Sequence, residues 1–281
     1  MRKVLLALAC ALALAGTAVP SSAATSPTWA PADKATVRPG SAVSTASGGC
    51  TTNFVFSEKY LDSAGRTRFH VLMGLAAHCF SLGSSTDTNA CTAPTLPLGS
   101  TARISGARYP ATLVYSSWIT AKKVRERDPN VCAVNDFALV RLDPRDHARV
   151  NPSLWHYGGP RGVRGRAVGL GDAVYTYGNS SLRLGVRQTS PKDGVTTGTT
   201  RGGWNHQIYT ATPGIPGDSG SPVLDEDGRG LGILVTLQAA PQPLSNGVTD
   251  LAKALHYANA KTGHDYRLAS GTQGFSNPLL P

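Results

Sequence analysis

From Cys50 onward the chain breaks into short apolar or alternating runs, each about the length of one strand and most ended by turn formers. Residues 53–56, 68–73, 102–104, 111–115 and 137–142 make a first set. Residues 62–65, 98–100, 105–106 and 128–130 supply the turns between them. Residues 151–165, rich in glycine and proline, read as a crossover. A second set follows at 167–170, 173–177, 182–184, 206–210, 222–224 and 232–236. Helical spacing is convincing at one place: Leu251, Ala254, Leu255 and Ala258 recur at i, i+3, i+4 and i+7, with Thr249 placed to cap the start and Gly263 to stop it. The 31 glycines and 19 prolines suit a chain that turns this often. Periodicity alone therefore predicts an all-β protein in two halves, closed by a C-terminal helix over about 249–262.

The first 23 residues read as an export signal. Arg2 and Lys3 open it, the apolar run from Val4 to Gly16 is too short to span a bilayer, and Ser21-Ser22-Ala23 offers small residues for cleavage before Ala24. No stop-transfer run follows, so no membrane association is expected once the signal is removed. Cys10 lies inside the apolar run and fits a lipoprotein pattern poorly. Residues 24–47 carry no periodic pattern and read as an arm or a short pro-segment. The net charge is +10, of which Arg2 and Lys3 leave with the signal. The remaining basic residues are scattered, Arg161, Arg164 and Arg166 being the one dense cluster. With no nucleic-acid motif beside them, they read as a solvated surface. Cys50, Cys79, Cys91 and Cys132 remain after export, and an even count in a secreted chain argues for disulfides. Zinc is the competing reading, but no CxxC or HxxxH spacing supports it. No cofactor is implied, and no loop has EF-hand spacing.

Three segments carry chemistry. Pro216-Gly217-Asp218-Ser219-Gly220-Ser221-Pro222 holds a candidate nucleophile, Ala76-Ala77-His78-Cys79 a base, and Asn135-Asp136-Phe137-Ala138-Leu139-Val140-Arg141-Leu142 an acid. A serine hydroxyl needs a neighbouring base to take its proton, and an imidazole needs an acceptor on its other nitrogen to hold the right tautomer. The order His, Asp, Ser separates this arrangement from α/β-hydrolases, where Ser comes first. Ser221 also breaks the Gly-x-Ser-x-Gly elbow, and no βα repeats are present. The three segments together resemble the chymotrypsin-like (trypsin-fold) serine peptidase family, in its secreted bacterial form. The resemblance covers roughly residues 50–260, and Leu75 stands where the family commonly has Thr.

What the resemblance implies is specific. The fold would be two antiparallel six-stranded β-barrels packed against each other, the first over about 48–150 and the second over about 155–247, in a peptidase domain running over 48–281. His78 would be the base, Asp136 the orienting acid and Ser219 the nucleophile. The amides of Gly217 and Ser219 would form the oxyanion hole. Cys50–Cys79, beside His78, is a pairing the family shares, and with it Cys91–Cys132 is the preferred second pair. Asp218 would need a buried charge partner; animal members use a new N-terminus beginning Ile-Val-Gly-Gly, absent here, so an arginine or the processed N-terminus would substitute. Thr236 would support Asp136, and the backbone of Leu237 and Gln238 would pair with an extended substrate. Pro213, followed by Gly214, stands where trypsin-like members carry an Asp that receives Lys or Arg, so no preference for a basic residue before the scissile bond is expected. The expected protein is a secreted, monomeric serine endopeptidase acting on protein or peptide substrates. The alternatives are a catalytically silent binding protein of the same fold and a secreted esterase.

Overall fold

The computed structural model describes residues 26–83, 88–238 and 242–277. The export signal and the cleavage point before Ala24 lie outside them. The first half of the chain carries β1 (Ala42–Thr45), β2 (Gly48–Thr51), β3 (Val55–Leu61), β4 (Thr67–Leu75), β5 (Thr101–Ile104), β6 (Ala111–Ser116) and β7 (Ala138–Arg141). The second carries β8 (Ala173–Tyr177), β9 (Pro191–Thr200), β10 (Asn205–Thr210), β11 (Pro222–Asp225), β12 (Gly230–Leu237), β13 (Asn246–Asp250) and the short β14 (Arg267–Leu268). Three α-helices punctuate them: α1 (Ser117–Val124), α2 (Pro129–Val134) and α3 (Leu251–Thr262).

The strand-rich, two-part architecture with a C-terminal helix is as expected. In the second half the strands close into a barrel in the order β10-β13-β12-β11-β8-β9. The first half differs in detail: it is an eight-stranded sheet, β14-β3-β4-β7-β6-β5-β1-β2. Its edges are extended from both ends of the described chain. The β1–β2 hairpin adds to β5, and β14 returns from beyond α3 to pair Arg267 with Ser57 and Leu268 with Phe56. Each addition satisfies backbone groups that an edge strand would otherwise leave unpaired.

Side-chain alternation explains β6. Ala111, Leu113 and Tyr115 are buried while Thr112 and Val114 are half-buried, the period-2 signature of a strand with one face on a core. β7 sits between β4 and β6, so Ala138, Leu139 and Val140 are all buried. Phe137 packs its ring 5.4 Å from Phe56 and 5.7 Å from Tyr115, centroid to centroid. That core continues into the second half through Leu224, Ile233 and Leu251. A smaller apolar cluster of Val174, Ile208, Val223, Leu231, Leu234 and Val248 fills the closed barrel.

Several local expectations are corrected. Residues 167–170 and 182–184 are not strands; Leu170, Leu182 and Leu184 are strongly exposed, so nothing buries their alternation. Asp128-Pro129-Asn130 is not a free turn but the start of α2, with Asp128 accepting from the Asn130 amide at 2.8 Å and Pro129 in the first helical turn. α3 is capped by Asp250, whose Oδ1 accepts from the Lys253 amide at 2.7 Å. Thr249 belongs to β13 and donates its hydroxyl to the Val134 carbonyl at 2.6 Å. Gly263 ends the helix at φ +74°, as expected.

Both disulfides are formed, Cys50–Cys79 and Cys91–Cys132, with Cα–Cα separations of 6.3 and 5.1 Å. The stretch read as an arm carries β1 and buries Ala30, Ala35 and Val37. Its Arg38, only 6% exposed, donates from Nε to the Ser153 carbonyl at 2.8 Å and from Nη2 to the Leu154 carbonyl at 3.1 Å and Gln273 Oε1 at 2.5 Å. The guanidinium also lies over the Trp155 ring, 4.4 Å from its centroid. No helix among the described residues is long and apolar enough to cross a membrane.

Candidate active site

His78 stands in a single 3-10 turn, Ala77–Phe80, directly after β4. Ala76 and Ala77 are fully buried and Cys79 is tied to Cys50, so the turn is held from both sides. Asp136 lies at the junction of α2 and β7 and is almost completely buried. Its two oxygens grip the histidine twice. Oδ1 accepts from the His78 backbone N–H at 2.9 Å, and Oδ2 pairs with ring Nδ1 at 2.6 Å. A carboxylate on Nδ1 puts the proton there and leaves Nε2 with its lone pair. Burial disfavours a charged ring, but the charge and hydrogen bond of Asp136 outweigh it and raise the His78 pKa above its ordinary 6.5.

Ser219 is in the loop before β11 and is partly exposed. Its carbonyl accepts from the Thr51 amide at 2.8 Å, and the next residue, Gly220, donates to the Leu234 carbonyl at 2.7 Å. A side chain at Gly220 would run into the Thr51 carbonyl and approach the Ala76 amide nitrogen to 3.1 Å. The serine loop is therefore seated against the segment that leads into His78, and a glycine is needed for that approach. Among the described residues no hydrogen bond joins Ser219 Oγ to His78, a contact that often tightens only when substrate is bound.

Gly217 adopts φ +94°, a conformation favouring glycine, with its carbonyl accepting from Thr51 Oγ1 at 2.9 Å. The amides of Gly217 and Ser219 donate to no acceptor among the described residues. Between them Asp218 is fully buried and fully bonded. Oδ1 accepts from the Ser180 amide at 3.0 Å; Oδ2 accepts from the Ile215 amide at 3.1 Å, from the Arg183 guanidinium, and from Lys192 Nζ at 3.4 Å. An arginine was one of the expected partners; Lys192 was not anticipated. Burial, reinforced by Arg183 and opposed by the charge of Asp218, pushes Lys192 down to about 8.

The outlying expected residues sit differently. The Thr236 hydroxyl accepts from the Gly247 amide at 3.2 Å and makes no hydrogen bond to Asp136. Leu237 is 43% exposed, but Gln238 has its backbone committed: its N–H donates to the Ser245 carbonyl at 2.9 Å and its carbonyl accepts from Leu244 at 3.0 Å. Gln238 is thus not an open edge for a peptide. The Pro213 carbonyl accepts from Arg183 at 3.5 Å. Gly214 is held by Asn246, a fully buried residue that sequence reasoning did not single out. Asn246 Oδ1 accepts from the Gly214 amide at 2.8 Å, and Nδ2 donates to the Gly214 carbonyl at 3.1 Å and the Thr236 carbonyl at 3.0 Å. One carboxamide therefore staples the 213–215 loop to β12.

A family model for the trypsin-like peptidase domain matches residues 67–233, from the start of β4 into β12. The chain belongs to the trypsin-like peptidase family. By that membership it is a serine-type endopeptidase, a hydrolase. Among solved structures, a Glu endopeptidase crystallised with MPD is similar at a TM-score of 0.50 and 15% identity, covering 83% of this chain and 96% of that one. Thermobifida fusca protease A is similar at 0.49 and 14%, covering 83% and 100%, and a Cellulomonas bogoriensis chymotrypsin at 0.46 and 18%, covering 83% and 98%. At such identities the likeness is one of fold. No curated protein matches the chain.

Proposed function

We propose that this trypsin-like peptidase is exported, acts outside the cell as a monomer, and cleaves peptide bonds through an acyl-enzyme on Ser219. The observation that carries the reading is the doubly held His78–Asp136 pair beside a serine loop with two unpartnered amides. Ser219 Oγ attacks the scissile carbonyl carbon as His78 Nε2 takes its proton. The amides of Gly217 and Ser219 receive the developing oxyanion, a contribution of about 3 kcal/mol each to transition-state stabilisation. His78 then hands the proton to the leaving amine, and water, activated by the same nitrogen, releases the acyl group. Asp136 holds the ring and stabilises its charged form. The export signal over 1–23 and the two disulfides support action in an oxidising, extracellular compartment.

No preference for Lys or Arg before the scissile bond is expected in this reading. Pro213 brings no acid to that pocket, and Asn246 keeps the Gly214 and Thr236 walls together. The test is fluorophosphonate labelling of the purified secreted protein beside its Ser219→Ala variant, followed by a panel of short peptides. Labelling of the parent alone, with Arg and Lys peptides not preferred, is the expected result. A well-folded parent that takes no label would make the chain a binding-only member of the family.

A further inference from the structure

A second cleft opens beside Gly217, and its chemistry is distinct. One cleft, of about 520 Å³, is bordered by Asp136, Val235, Thr236 and Gln238. Another, of about 460 Å³, is bordered by Gly217 of the serine loop, Cys50, Val43 and three arginines, Arg103, Arg183 and Arg187. No aspartate or glutamate lines it. Building on the reading of Ser219 as nucleophile, we propose that this second cleft binds a carboxylate carried by the substrate on the leaving-group side of the scissile bond.

The direction of the substrate follows from the neighbours. An acyl portion lying along the end of β12 fills the first cleft. The Gly217 amide marks the carbonyl oxygen, and Gly217 also borders the second cleft. Cys50, on its rim, is bonded to Cys79, the residue after His78, the group that protonates the leaving amine. The chain beyond the scissile bond therefore crosses the disulfide into the arginine-lined space.

The charge is available there. Arg103 and Arg187 are exposed and have no acidic partner among the described residues. Arg183 is different: its side chain is 9% exposed, and Nη2 is spent on Asp218 and the Pro213 carbonyl. Its Nε is buried without any hydrogen-bond partner. A buried donor left unsatisfied is costly, and a guanidinium fork matches a carboxylate better than any other ligand group of a peptide. Val43 and Val186 line the same space and suit the aliphatic stem of such a residue. The carboxylate has two possible sources: an acidic side chain two residues after the scissile bond, or the C-terminal carboxylate of a substrate that ends there.

Two matched peptide pairs separate the sources. In one, the second residue after the scissile bond is Glu or Gln and the C-terminus is amidated. In the other, a neutral peptide ends at that residue as the free acid or the amide. The ratio of kcat/KM within each pair is measured for the parent and for an Arg103→Gln, Arg187→Gln double variant, at low and at high salt. A ratio of about five or more in the parent at low salt is expected for at least one pair, falling towards one in the double variant and at high salt. The pair that responds names the source. Anisotropy with labelled leaving-group peptides on the Ser219→Ala protein gives the same comparison without turnover. Equal binding of the acidic and neutral peptides, with equal kcat/KM in the parent, overturns the proposal. Preferential binding of the acidic peptide together with no hydrolysis by the parent overturns the nucleophile reading instead and leaves the cleft assignment standing.

Discussion

At His78 two opposing influences act on one ring: burial pulls its pKa down, and the charge of Asp136 lifts it further up. With His78 as the proposed base, the acid limb of kcat/KM should lie above pH 6.5, activity rising as the ring loses its proton. The linkage has a definite sign. A pKa raised by folding stabilises the protein fully below the unfolded value of about 6.5, and that contribution is lost as pH rises through the folded value. Asp136→Asn should lower kcat by about 10⁴-fold and move the acid limb to lower pH, read from a pH–rate profile. A limb that stays in place would separate Asp136 from the titration of His78. The His78–Asp136 pairing was legible in the sequence because each residue sits in its own contiguous motif. Asn246 and Lys192 were not, because their roles exist only across the fold: Asn246 reaches back 32 residues to Gly214, and Lys192 meets Asp218 from another strand.

Elements were readable where burial leaves an apolar pattern, one-sided or continuous, and hidden where it does not. β6 and β7 announced themselves by apolar alternation and by a continuous apolar run. β9, the longest strand, was invisible: Pro191–Thr200 is mostly small and polar, and its one large apolar residue, Val195, is 43% exposed. It is held by pairing with β8 on one side and β10 on the other, a cause that no local pattern records. The start of α3 is a case of two adjacent cap-forming types, Thr249 and Asp250. The strand decides between them, since β13 turns the Thr249 side chain inward and leaves Asp250 to cap. Asp250 Oδ2 also pairs with His206 Nε2 at 3.0 Å. Asp250→Ala should cost about 1 kcal/mol from the cap alone, and more for the buried imidazole left without its partner. Thermal unfolding would measure this, and an unchanged Tm would deny the cap any weight.

For the whole molecule, the two halves and the final helix were legible, while the way the ends of the chain are used was not. The stretch before β1 looked patternless because it is held by backbone hydrogen bonds to Arg149 and Val150 and by one arginine bonded to backbone carbonyls and to Gln273, at the other end of the chain. Arg38 thus joins three distant segments around one guanidinium. Arg38→Ala should remove about 3 kcal/mol, seen as a lower urea midpoint with the slope unchanged. A midpoint equal to the parent would mean that these segments hold together without it.

The neutralisation of Asp218 has a practical consequence. Arg183 and Lys192 both belong to the second half of the chain, the lysine on β9 itself, so the carboxylate meets its counter-charges when that half is complete. Animal relatives instead wait for a freshly cut α-amino group to arrive from far away. Here both cations that meet Asp218 are side chains from within the chain itself. Losing either Arg183 or Lys192 removes one of the two cations that hold the loop.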